Sequence, residues 1–148
     1  MEYNDTNQRK KEEEEQKDFK DLKVVYNFQA NPSDLYDCLL NPQRIPYYTR
    51  SPAQIEPKEG GTFNFYNGAI LGEITKLEKD TKIVMKWKLK DWKDFSIVTI
   101  SFKKENGTLL SLNQSNIPSS EFERTQAGWK NYFWEPIRVV FGFTYTQK

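Results

Sequence analysis

The chain has 148 residues, enough for one domain with a substantial core. Its 22 Lys and Arg against 21 Asp and Glu leave a net charge of +1. That balance excludes a general nucleic-acid or acidic-membrane binder, which needs a basic excess. It contains no histidine, which removes Ser-His triads, His-based proton transfer and ordinary zinc sites.

The lone Cys38 has no histidine to activate it and falls in an apolar helical pattern with Leu35 and Leu39, so it reads as a buried small residue. It cannot form an internal disulfide, and Met1 to Glu15 hold no apolar stretch that would serve as a secretory signal. A reducing, cytoplasmic setting is expected. The Asn-x-Ser/Thr triplets beginning at Asn4, Asn106 and Asn113 are then chance matches. No run of about eighteen apolar residues exists, so no membrane span is expected. No cofactor or metal is expected either.

Residues 1–20 form a charged N-terminal arm, with Glu13 and Lys17 placed as a favourable helical pair. Residues 21–148 read as one domain. Val24 to Gln29 alternates as a strand. Asn31-Pro32 supplies an N-cap and a first-turn proline for a helix carrying Leu35, Cys38 and Leu39 on one face. Pro42 and Pro46 then delimit a second short helix and a loop.

Five more strands follow: Thr62 to Tyr66, Ala69 to Leu77, Lys82 to Lys90, Ser96 to Lys103 and Thr108 to Asn116. Turn signals such as Asn67-Gly68 and Asn106-Gly107 separate them. Ile83, Met85, Trp87 and Leu89 alternate with Lys86, Lys88 and Lys90, the mark of an antiparallel sheet with one covered face and one wet face. The cover is a long C-terminal helix. Ser120 and Glu123 read as its capping box, and Phe122, Gln126, Trp129, Phe133 and Ile137 as its inward stripe. Pro136 lies inside that pattern and cannot donate to residue 132, which predicts a kink or frayed turn.

The expected fold is therefore α+β: a curved antiparallel sheet of about six strands, two short helices, and a long terminal helix packed across the sheet. This order resembles the helix-grip fold of the birch-pollen-allergen and START-like superfamily. Gly68 to Ile74, Ile83 to Trp92, Gly128-Trp129, Tyr132 to Glu135 and Phe141 to Phe143 together resemble the C-terminal-type domain of the activator of heat-shock protein 90 ATPase family. Ile117-Pro118 and Glu123 to Thr125 match its entry to the last helix, and the resemblance covers about residues 20–143.

The resemblance implies a non-enzymatic co-chaperone that binds heat-shock protein 90 and favours its closed, nucleotide-bound state. It also implies a preceding domain that residues 1–20 are too short and too charged to replace. Glycine is the family's tendency where Pro136 stands. A monomer is expected, and the alternative function is a carrier of a small apolar ligand in a cavity under the C-terminal helix.

For the co-chaperone, Lys86, Lys88 and Lys90 form a candidate docking strip for acidic surface. Trp92, in a polar loop, is either an anchor for the partner or a lid over the sheet. For the carrier, Phe63, Phe65, Trp87, Trp129 and Phe133 would converge between sheet and helix, around a ligand cavity or as a filled core. Glu73 and Glu135 would be the acid and base of an enzymatic reading, but each reads more simply as a surface or rim carboxylate.

Overall fold

The computed structural model describes residues 18–148. The expected arm falls mostly outside them, and so does the Glu13–Lys17 pair. Eight strands form one antiparallel sheet in the order β2-β3-β4-β5-β6-β7-β1-β8. They are β1 Phe19–Phe28, β2 Gln54–Ile55, β3 Thr62–Phe65, β4 Ile70–Glu78, β5 Lys82–Leu89, β6 Ser96–Lys104, β7 Thr108–Pro118 and β8 Tyr145–Gln147. Helices α1 Pro32–Leu40 and α2 Ile45–Thr49 lie between β1 and β2. The long C-terminal helix runs as α3 Phe122–Trp129, a π-helical turn Lys130–Trp134, and α4 Glu135–Phe141.

The strand count corrects the expected six. Gln54–Ile55 and Tyr145–Gln147 are too short to show a period-2 pattern, and each exists only because a neighbouring strand offers an edge. The first strand also begins at Phe19, where Phe19 pairs with Pro118, rather than at Val24. Register shifts at Lys20/Leu22 and at Ile74/Lys76 mark bulges, which bend the sheet around its helix.

The inward face follows the alternation. Ile83, Met85, Trp87, Val98, Ile100, Phe102, Leu110 and Leu112 are all buried, while Ile97 and Lys86 face outward. On α1, Leu35, Cys38, Leu39 and Leu40 face the core. Asn31 does start α1 in extended geometry, but its side chain accepts from Lys104 Nζ at 2.8 Å instead of capping the helix.

The capping box is absent. Ser119–Glu121 form a 3₁₀ turn, α3 starts at Phe122, and no side chain caps it. The inward stripe also differs from the reading. Thr125 is buried and Gln126 exposed, and Trp134 joins Phe133 inside with no exposed surface. The π-helical turn accounts for the adjacent pair. Glu135 donates to the Lys130 carbonyl five residues back, and the widened turn brings both rings to the sheet.

Pro136 is the second residue of α4, directly after that turn. The carbonyl of Tyr132, which a regular helix would pair with the missing N–H of Pro136, instead accepts the Tyr66 hydroxyl. Gly142 ends α4 in left-handed geometry (φ 76°), its N–H returning to the Arg138 carbonyl at 2.9 Å.

Candidate functional site

The five rings expected between sheet and helix do meet. Trp87 on β5 stacks on Trp129 of α3 at 5.5 Å, Phe63 stacks on Phe65 at 5.2 Å, and Phe133 meets Phe65 edge-on at 5.8 Å. All five are at least nine-tenths buried. The space they leave, shared with Leu39, Leu40, Ile55, Ile74, Ile83 and Met85, is ≈ 20 Å³. That is room for about one water molecule and not for an apolar cargo.

Polar groups cross this core on one relay. Trp129 Nε1 donates to Gln114 Oε1 at 2.8 Å, Gln114 Nε2 donates to Ser96 Oγ at 2.9 Å, and Ser96 Oγ donates to the Trp87 carbonyl. Gln114 is 1 % exposed and Ser96 fully buried, so the relay clamps α3, β7, β6 and β5 together through groups that water cannot serve. Sequence reading missed it because a glutamine within a strand pattern looks like a solvent-facing position.

Beside the filled interior lies a larger cleft of ≈ 400 Å³. Its walls are the β3–β4 turn (Tyr66, Ala69, Ile70), the end of β5 with the following loop (Trp87, Leu89, Lys90, Asp91), and the helix from Arg124 to Phe133. Lys90 N–H donates to the Ala69 carbonyl at 2.9 Å, which ties the two loops together. The Tyr66 and Tyr132 rings lie 5.1 Å apart. Burial pushes the Tyr66 phenol up to about 12, so its hydroxyl stays a donor throughout the physiological range.

The partner-binding candidates separate. Lys86 and Lys90 are exposed, and Lys86 lies opposite Glu73 in the register, 4.0 Å from its carboxylate. Lys88 is drawn inward: its Nζ donates to the Trp92 carbonyl at 3.1 Å and sits 5.2 Å from the centre of the Phe95 ring. Trp92 is only 6 % exposed and packs edge-on against Trp87 at 5.6 Å. The loop exposes Phe95 in its place. The strip that remains accessible is Lys86, Lys90 and their neighbours.

The two carboxylates are each engaged by other groups. Glu73 belongs to β4 beside Lys86. Glu135 is bound by Arg138 at 2.9 Å and by the Tyr145 hydroxyl at 2.6 Å, a clasp that fastens β8 to α4. Those two donors, Arg138 first, hold the Glu135 carboxyl below its usual range. Burial raises the Cys38 thiol to about 11, which keeps it protonated and unreactive at neutral pH. No helix among the described residues is long and apolar enough to cross a membrane.

Against known proteins, the chain is 36% identical over 119 residues to the human activator of 90 kDa heat shock protein ATPase homolog 1, which covers 78% of this chain and 35% of that one. It is 33% identical over 127 residues to a Saccharomyces cerevisiae protein named Hsp90 co-chaperone AHA1, covering 78% and 36% respectively. The chain thus spans about a third of the length of these curated relatives. A solved structure described as an HSP90 activator from Plasmodium falciparum superposes with a TM-score of 0.80 at 33% identity, covering 85% of this chain and 99% of that one. The family model described as Activator of Hsp90 ATPase homolog 1-like protein matches residues 29–142, which takes in both short helices, the sheet from β2 to β7 and the whole terminal helix. The chain belongs to this family.

Proposed function

We propose that this protein is a co-chaperone of heat-shock protein 90, a binding partner and not a catalyst. The observation that carries the reading is the likeness to the Plasmodium falciparum HSP90 activator, which this chain covers nearly end to end at 33% identity. A binder alters a conformational equilibrium only through different affinities for its states. The protein therefore acts by contacting the closed, nucleotide-bound form of the chaperone better than the open form.

Lys86 and Lys90 are the docking strip we assign on this side, with the half-exposed Phe95 as their apolar neighbour. Two exposed ammonium groups on one sheet end steer an acidic partner and set its orientation more than they add affinity. Trp92, covered against Trp87, shapes the loop and is not itself a contact.

Steady-state ATP turnover of purified heat-shock protein 90, measured against rising concentrations of this protein, tests the reading. A saturable change in turnover is expected. A Lys86→Glu/Lys90→Glu variant should need about three- to tenfold more protein for half the effect, the gap closing at high salt. Turnover that stays flat at every concentration overturns the proposal.

A further inference from the structure

The face of the molecule formed by α2 and α4 carries a second interaction surface, and we propose that it takes an acidic peptide segment bearing one large apolar side chain. The two helices pack on each other on the inner side of the sheet and bury Ile45 and Ile137, whereas Lys86 stands on the outer side. The surface is therefore separate from the lysine strip, and the inference does not rest on the co-chaperone reading.

Its apolar part is not explained by the fold. Tyr47 on α2 and Val139 on α4, 69 % and 67 % exposed, are the most solvent-exposed large apolar side chains among the described residues. Neither helix gains by them, since tyrosine and valine are poorer helix formers than lysine or glutamate. On and just beyond α4, Val140, Phe141 and Phe143 are only partly buried. The Phe141 ring meets Tyr48 edge-on at 6.2 Å and stacks on Phe143 at 5.8 Å, so these rings already form a fixed apolar platform.

The charge of this surface is arginine where the rest of the chain uses lysine. The sequence holds 17 lysines and five arginines, and three of the five, Arg44, Arg50 and Arg138, stand on or directly beside α2 and α4. A guanidinium presents a planar fork that fits a carboxylate and lies well against aromatic rings. Arg44 sits 5.7 Å from the centre of the Phe141 ring. It gives Nε to Asp37 at 3.0 Å, and Arg138 gives Nε and Nη2 to Glu135. Those bonds hold both forks in place, neutralise the two carboxylates, and leave Nη2 of Arg44 and Nη1 of Arg138 for a partner.

Arg50 is exposed and makes no ion pair among the described residues. It ends α2 in left-handed geometry (φ 51°), a position that favours glycine or asparagine because a Cβ is crowded there. Arginine at that cap costs stability without an answering contact in the fold, and its charge is left for an acidic partner. Tyrosine and arginine together are the side chains in which binding energy concentrates.

The test titrates the peptide acetyl-Asp-Glu-Trp-Glu-Asp-amide into the full chain and follows amide chemical shifts. Saturable shifts are expected on residues 44–50 and 138–143. Exchanging the peptide's Trp for Ala, or its four acids for Lys, should each weaken binding about tenfold or more. Tyr47→Ser and Arg50→Gly should each weaken it about three- to tenfold. Arg50→Gly also relieves the left-handed cap, so its melting temperature should not fall below the parent's. Loss of binding without loss of stability separates a contact from a structural role. Shifts gathered on residues 86–95, which put the peptide on the lysine strip, or scattered over the surface, overturn the proposal. So does binding unchanged in either variant, or self-association of the chain that Tyr47→Ser abolishes in sedimentation.

Discussion

Gln114 shows what a single residue does here. Its amide is both acceptor for Trp129 and donor to Ser96, so replacing it with methionine keeps the volume but leaves Trp129 Nε1 unpaired, while Ser96 Oγ keeps only its bond to the Trp87 carbonyl. An unsatisfied buried group costs about 1–3 kcal/mol, so Gln114→Met should lower stability in urea denaturation by roughly 1–3 kcal/mol. A loss below about 1 kcal/mol would mean the relay does not clamp the core. Gly72 is constrained by space alone: a Cβ there would overlap the Phe63 ring and the Lys86 carbonyl of the neighbouring strand. Gly72→Ala must push β4 from β5, and a cost of about 1–3 kcal/mol by the same assay is expected. Glu135 gives the pH dependence. Its folded-state value is lowered by Arg138 and Tyr145, so its contribution is present above the usual carboxylate range and is lost as pH falls through the lowered value. Melting temperature should therefore fall less steeply below about pH 4 in Glu135→Gln than in the parent.

At the scale of elements, the terminal helix depends on one contact from outside itself. Pro136 withholds the N–H that the Tyr132 carbonyl would use in a regular helix, and the Tyr66 hydroxyl on the β3–β4 turn supplies the donor. Tyr66→Phe should cost about 0.5–1.5 kcal/mol in the parent and less in a Pro136→Ala background, where position 136 regains its donor. Equal costs in the two backgrounds would separate the two features. The bond that Pro136 cannot make to residue 132 was legible in the sequence, because an absent N–H is a property of the residue, whereas the expected kink or frayed turn is replaced by a π-helical turn. The π-helical turn and the tyrosine that answers it were not, because both arise from packing between elements 66 residues apart in the chain. The alternation of β5 was legible for a related reason: period-2 burial is local, and it placed Ile83, Met85 and Trp87 correctly. The capping box failed because Ser119 and Ser120 were taken into a 3₁₀ turn, with the Ser119 N–H donating to the Asp18 carbonyl just before β1.

For the whole molecule, the helix-grip architecture follows from one long apolar helix and one set of one-sided strands, which leave each other as the main cover. The two edge strands were invisible beforehand, since two or three residues carry no period. Both short edges limit strand addition from other chains. The candidate site was legible only in part. The aromatic residues and lysines were named from sequence, yet Trp92 turned inward and Lys88 was held to its carbonyl, because a six-residue loop folds by what it covers and not by its own polarity. The cleft beside Gly128 depends on three separated segments and leaves no linear signature. The proposed role is preference for one state of a chaperone, and affinity in two states measures that directly. The decisive experiment is a calorimetric titration of this protein into purified heat-shock protein 90, with and without a non-hydrolysable ATP analogue. A preference for the closed form gives affinity at least tenfold tighter with the analogue, about 1.4 kcal/mol of differential binding. Equal affinity in the two states, or no binding in either, would contradict it.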